Sequence, residues 1–268
     1  MTNTQARARM KKPNERNLFK LFWLEAKYEF LKTARIPVYA ISTIVFPMMF
    51  YVLFGLMFGS EGSGGVSAPT YMLATYGAFG VIGAALFGFG VGVATERGQG
   101  WMRLKRASPM PPTAYFTAKT ATALLFSAIV ILGLFALGVF IGDVRMPFTT
   151  WLALFGTLFV GALPFAAMGL MFGYLVGPNA APAVLNIIYL PMAFFSGLWI
   201  PIFLLPKFVQ TLAPYLPPYH YAQLALETIG AGQGTPVWQH IVILLGFTVV
   251  FLVLAIALYR RDEGQTYG

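Results

Sequence analysis

Six long apolar runs, separated by short polar or Pro-rich islands, restrict this chain to a small set of folds. They are Pro37–Phe58, Tyr71–Ala94, Ala118–Ile141, Trp151–Leu175, Pro182–Trp199 and Gln239–Tyr259. Each approaches or exceeds the ~20 residues that carry a helix across the ~30 Å hydrocarbon core of a bilayer. No water reaches backbone N–H and C=O groups there, so a spanning segment must close its hydrogen bonds internally. Hydrophobic residues make up 58% of the 268 and charged residues 10%, with a mean hydropathy of +0.71. A soluble domain has about 45–50% apolar and 25% charged residues. The expectation is an all-α membrane protein with six transmembrane helices. The chain has no cysteine, which removes disulfides, thiolate metal sites and a cysteine nucleophile from consideration.

The islands supply the local detail. Residues 1–15 read as a disordered basic tail, without the apolar run and cleavage site of a removable signal peptide. Residues 16–35 read as an amphipathic helix: at 100° per residue Phe19, Phe22, Trp23, Ala26 and Phe30 share a face, flanked by Lys20 and Lys27. Aromatic and basic flanks just ahead of a span suit a helix lying in the membrane interface. Residues 36–268 form the six-span domain. Pro47, Pro164 and Pro191 fall inside apolar runs, where each removes a backbone donor and bends its helix. Gly77, Gly80, Gly83, Gly88, Gly90 and Gly92 let a neighbour approach the second run closely. The G-F-G-V-G at 88–92 is not a nucleotide loop, because no strand precedes it. Ile200–Gly234 is apolar but broken by five prolines, Pro201, Pro206, Pro214, Pro217 and Pro218. No spanning helix can pass through it. Two short helices are expected instead, near Pro206–Leu212 and Tyr219–Ile229, dipping into or resting on the membrane.

Charge orients the chain. The formal net charge of +9 invites a nucleic-acid reading, but the cations are not spread evenly. Nine of the 18 Lys and Arg precede the first run, five more are Arg97, Arg103, Lys105, Arg106 and Lys119, and two are Arg260 and Arg261. With six spans all of these share one side, leaving only Arg145 and Lys207 on the other. By the positive-inside rule both termini and the 95–120 island are cytoplasmic. The charge is then accounted for without nucleic acid.

Reactive chemistry is scarce. His220 and His240 each stand alone in the sequence, and no H-E-x-x-H, paired-carboxylate spacing or G-x-x-x-x-G-K-[ST] loop occurs. The centres of the runs carry no Asp, Glu, Lys or Arg, the residues that mark an ion path in coupled carriers. The expectation is a protein that is not an enzyme, binds no metal and, if it moves a solute, takes its energy from elsewhere.

The island E-R-G-Q-G-W-M-R-L-K-R-A-S-P-M-P-P at 96–112 resembles the segment after the second span of ABC-2-type transporter permeases, the membrane subunits of bacterial ABC exporters. Glu96, Arg97, Gly100, Leu104 and Pro109 carry the match, and Lys119 matches the lysine before the third span, while Gln99 and Trp101 depart from it. A second stretch, from F-F-S-G-L-W-I-P through L-P-P-Y-H-Y-A, is similar to the family through Ser196, Gly197, Pro201, Pro206, Pro217 and Tyr221. The resemblance spans the chain from about Arg16. It implies two six-span subunits, as homodimer or heterodimer, with separate ATPase subunits that bind ATP and Mg, so that this chain holds no cofactor. It implies a cytoplasmic coupling helix over Glu96–Pro109, with Trp101, Met102 and Leu104 as apolar contacts and Arg103, Lys105 and Arg106 facing ATPase carboxylates or lipid phosphates. It implies a second contact at Gly177, Pro178 and Asn179, and outer re-entrant helices before the last span. Met48, Tyr51, Phe54, Phe79 and Phe87 are candidates to line an apolar path for lipids, drugs or lipopeptides in an inner-membrane efflux system. Two other classes stay open: a structural or receptor-like membrane subunit, and an ion-coupled carrier.

Overall fold

The computed structural model describes residues 15–57, 65–102 and 110–264. The disordered tail expected at 1–15 falls almost wholly outside these residues, as do Arg103, Leu104, Lys105, Arg106 and Pro109. The described chain is helical: α1 Glu15–Ala34, α2 Pro37–Met57, α3 Ala68–Gly98, α4 Pro112–Phe140, α5 Phe148–Val160, α6 Ala162–Leu175, α7 Ala181–Phe195, α8 Lys207–Leu212, α9 Pro217–Thr228 and α10 Val237–Gly264. Short 3-10 turns at Ile202–Leu204 and Ala213–Tyr215 flank α8. Prolines open several of these helices, α3 and α9 among them, where a missing N–H costs nothing.

Among the described residues four segments are long and apolar enough to cross a membrane: Ala68–Gly98, Thr113–Phe140, Phe148–Leu175 and Val237–Asp262. The protein is thus a multi-pass membrane protein. α1 and α2 meet at a 70° bend, so that α1 turns away from the helix that follows. α7, at 15 residues, is only about 22 Å long.

α3 is the axis of the bundle. It packs against α2, α4, α6, α7 and α9, and nearly every residue from Ala68 to Leu86 is buried. The glycines are what permit this. A Cβ on Gly169 of α6 would lie 2.6 Å from the Leu86 carbonyl oxygen of α3, and one on Gly90 would lie 2.5 Å from Leu185 of α7. Backbone-to-backbone contact of this kind lets dispersion act over a long seam where lipid removes the hydrophobic drive. Buried tyrosines fasten the same seam: Tyr189 donates to the Phe79 carbonyl at 2.7 Å and Tyr76 to that of Trp199 at 3.1 Å.

The fourth apolar run breaks at Gly161, between α5 and α6. Pro164 cannot donate to Val160, so the helix is weakened at that point. Tyr221 of α9 takes advantage of the break, donating to the Leu158 carbonyl at 2.6 Å. Its ring fills the space over Gly161, where a Cβ would come within 2.0 Å. α7 ends in a Schellman motif, with Gly197 at φ 75°, Leu198 N–H bonded to the Ala193 carbonyl and Gly197 N–H to that of Phe194. The Pro-rich segment then folds back as its own small cluster of Ile202, Leu205, Val209, Ala213 and Tyr219.

Candidate functional site

Five helix ends meet at one end of the bundle, and charge collects there. Glu29 and Lys32 from α1, Glu96 from the last turn of α3, and Tyr115 and Lys119 from the first turns of α4 form one group. Lys119 Nζ lies 2.5 Å from Glu29 Oε1 and 2.9 Å from Glu96 Oε1. Lys32 bridges the same carboxylates, 2.8 Å from Glu29 and in close contact with Glu96. Tyr115 donates to Glu96 Oε2 at 2.6 Å. Glu29, Glu96 and Lys119 are each at most 5% exposed. Charges that deep persist only when paired and hydrogen-bonded, and the group of two carboxylates and two ammonium ions is balanced. Gly92 makes room for it, since a Cβ there would lie 2.9 Å from Lys119 Nζ.

Arg97 makes a second tie. Its guanidinium bonds Asp262 Oδ1 through Nε at 3.1 Å and Nη2 at 2.9 Å, and through Nη1 it reaches the carbonyls of Gly173 at 2.8 Å and Val176 at 3.3 Å. It also sits over the Tyr174 ring, 5.5 Å from its centre. The carbonyls in and just beyond the last turn of a helix have no further helical N–H to bond. One side chain thereby joins the ends of α3, α6 and α10.

Beyond this anchor the chain turns at Gly100, φ 74°, and Trp101 is half exposed whereas Met102 is buried. The turn Gly177, Pro178 and Asn179 is exposed beside it, with Pro178 against Gly98, where a Cβ would approach to 2.5 Å. Residues from two separate islands thus form one surface. Of the apolar candidates, Tyr51 and Phe79 are core residues. Phe79 stacks on Tyr189 at 4.9 Å, and the Tyr51 hydroxyl occupies the space where a Gly142 side chain would be. Met48, Phe54 and Phe87 are half-buried at the rim of that core.

At the opposite end, Ser196 is buried and Tyr221 fully so, while Gly197, Pro201, Pro206 and Pro217 set the turns of the re-entrant segment. A cleft of about 820 Å³ lies on this side, lined by Ser67, Thr70, Asp143, Arg145 and Glu227 among others. Two features were not evident from the residue order: the buried ion group, and a contact between His220 and His240. The first could have been suspected from Glu29 and Lys32, which sit one turn apart near the end of α1.

The family model of ABC-2 family transporter proteins matches residues 63–257. This chain belongs to the ABC-2 family. A relative from Bacillus subtilis (strain 168), named "Putative transport permease YvfS", is 26% identical over 235 residues, covering 88% of this chain and 95% of its own. Permeases of the ABC-2 family are generally not enzymes and normally work with an ATPase subunit. The anchored end of α3 in this ABC-2 protein holds the Glu96–Arg97 pair that carries the sequence resemblance, and both side chains turn inward, onto α1 and α4 and onto α6 and α10 respectively. Among the described residues, Trp101, Gly177, Pro178 and Asn179 are exposed.

Proposed function

We propose that this ABC-2 chain is the transmembrane permease subunit of an ATP-driven exporter, and that Glu96–Pro109, with Gly177–Asn179, is where a separate ATPase subunit engages it. The observation that carries the reading is the anchoring of α3 at the start of this segment. Two ion-paired groups lock the end of α3 to α1, α4, α6 and α10, so a displacement applied at Trp101 moves packed helices rather than a free loop. Coupling between distant sites needs such contiguous, rigid connections. Within that device Glu96 and Arg97 act as internal fasteners, and Trp101 offers the exposed apolar contact. ATP and Mg are bound by the partner, with no cofactor in this chain.

The remainder follows from the same reading. α2 and α7 complete six crossings with the four long segments. The ion-paired end faces the cytoplasm together with both termini, consistent with 16 of the 18 cations lying in its islands. α1 rests in the interface of the cytoplasmic, inner membrane, with the exposed Phe19 and Trp23 toward lipid. A second permease copy or a homologue completes the path, and the half-buried Met48, Phe54 and Phe87 face a hydrophobic or amphipathic cargo such as a lipid, drug or lipopeptide.

The test is Trp101→Glu, combined with Leu104→Glu, in the complex with the cognate ATPase. The expected result is loss of ATPase association or of its stimulation, by tenfold or more (~1.4 kcal/mol of contact), with membrane insertion unchanged. Coupling at the wild-type level would overturn the assignment.

A further inference from the structure

His220 and His240 are 20 residues apart, yet their rings meet inside the fold. His220 lies on α9, in the re-entrant segment, and His240 on the first turn of α10. Their Nδ1 atoms are 2.9 Å apart, and His220 Nε2 is 2.8 Å from the Pro214 carbonyl oxygen. Both residues are almost fully buried, at 4% and 1% exposure.

The hydrogen-bond partners fix the protons. A carbonyl only accepts, so His220 carries its proton on Nε2, and in the neutral ring Nδ1 is then a bare acceptor. The 2.9 Å contact requires one hydrogen, which must come from His240 Nδ1. His240 Nε2 is therefore a bare nitrogen, buried with no partner among the described residues. An added proton has two places to go. On His220 Nδ1 it would set two N–H groups against each other. On His240 Nε2 it would create a buried, charged donor with no acceptor in reach. Each arrangement penalises the joined state.

The surroundings do not relieve the penalty. Among the described residues neither ring has an acidic partner. On α9, Tyr219 packs against both rings and turns its hydroxyl to Gln233, Tyr221 points to α5, and Glu227 lines the cleft at the far end of the helix. From α3 the facing titratable group is Tyr71, near Tyr219. α5 has no titratable residue, α6 has only Tyr174 at the opposite end, and Tyr215 in the 3-10 turn is exposed. Apart from His240, the ionisable residues of α10 are the consecutive stretch Tyr259, Arg260, Arg261, Asp262 and Glu263 at the other end of the helix.

From this geometry we infer that the His220–His240 contact is a proton-sensitive latch holding the re-entrant helix α9 to the last long helix α10, closed when both rings are neutral and released by acid. Burial depresses the His220 pKa below the usual histidine value of 6.5, and the Pro214 carbonyl opposes this only in part. The sign follows: a depressed folded pKa favours the closed latch above about pH 6.5, and that contribution is lost as pH falls through the lower folded value. The latch does not depend on the transport reading; only the compartment whose pH it senses does. On that reading it is the outer one.

The chain has no native cysteine, so two spin labels can be placed cleanly in the full-length protein in lipid nanodiscs. One pair, Tyr215→Cys with Val242→Cys, reports the α9–α10 joint at two exposed positions. The other, Trp101→Cys with Asn179→Cys, reports the opposite end. From about pH 8 to about pH 5 the first pair is expected to gain a longer-distance population that grows below about pH 6.5, while the second stays constant. His240→Asn, which can donate to His220 or, turned over, accept from it without taking a proton, is expected to abolish the acid response. A wild-type distribution unchanged across the range would overturn the latch. So would an equal response in His240→Asn, and so would simultaneous change at both ends, which reports general unfolding.

Discussion

Lys119 is the side chain whose loss the fold should tolerate least. It is 4% exposed and is the central cation between Glu29 and Glu96, at 2.5 and 2.9 Å. Lys119→Met keeps the length and apolar stem but leaves two buried carboxylates sharing Lys32 alone, which is partly exposed. At these separations each lost contact is worth roughly 6 kcal/mol of gross attraction at an effective dielectric constant of about 20. Desolvation offsets part of this, and measured losses for breaking one side of a buried pair are about 3–5 kcal/mol. For a chain of this size that is a fall in Tm of roughly 6–20 °C. Glu96→Gln removes the matching negative charge. The double variant Glu96→Gln/Lys119→Met retains Glu29 with Lys32 as a balanced pair, so it is expected to be less destabilised than the sum of the singles, by about 1–3 kcal/mol. Thermal unfolding of the four proteins in one mild detergent, followed by circular dichroism, measures the cycle. Additive losses would refute the claim that the group is held by charge balance.

Gly169→Ala tests the seam between α3 and α6. Its Cβ would meet the Leu86 carbonyl oxygen at 2.6 Å, which is backbone and cannot rotate away. Overpacking costs about 1–3 kcal/mol and exceeds the gain in helix propensity of about 1 kcal/mol, so Tm should fall. Gly246→Ala on α10, with nothing within 4 Å, should instead hold or raise it. A rise in both would remove the argument for close approach. Topology is checked by single cysteines in intact cells: a membrane-impermeant thiol reagent added outside is expected to label Gly64→Cys and spare Ser108→Cys, and the reverse pattern would invert the orientation.

The helices were largely legible in the order of residues, because lipid imposes a local rule on the backbone. Runs of apolar residues must be helices, and prolines must interrupt them. The short helices Lys207–Leu212 and Pro217–Thr228 lie where the spacing of Pro206, Pro214, Pro217 and Pro218 leaves room for them. The break at Gly161 was not legible, since Pro164 announces a bend but not its position, and the hydroxyl that bonds the Leu158 carbonyl beside the break comes from Tyr221, 63 residues later. Likewise Glu96 and Arg97 stood out in sequence as an island facing water. Tertiary packing turned both inward, because Lys32, Lys119 and Asp262 converge on them from three other helices. By itself, the sequence determined the membrane class, the helical segments and the clustering of charge, all properties of a window of neighbouring residues. Only the tertiary structure decided which charges pair, which glycines carry the contact between α3 and α6, and that two isolated histidines share a hydrogen bond. Those depend on distances between residues far apart in the chain, and no local pattern encodes them.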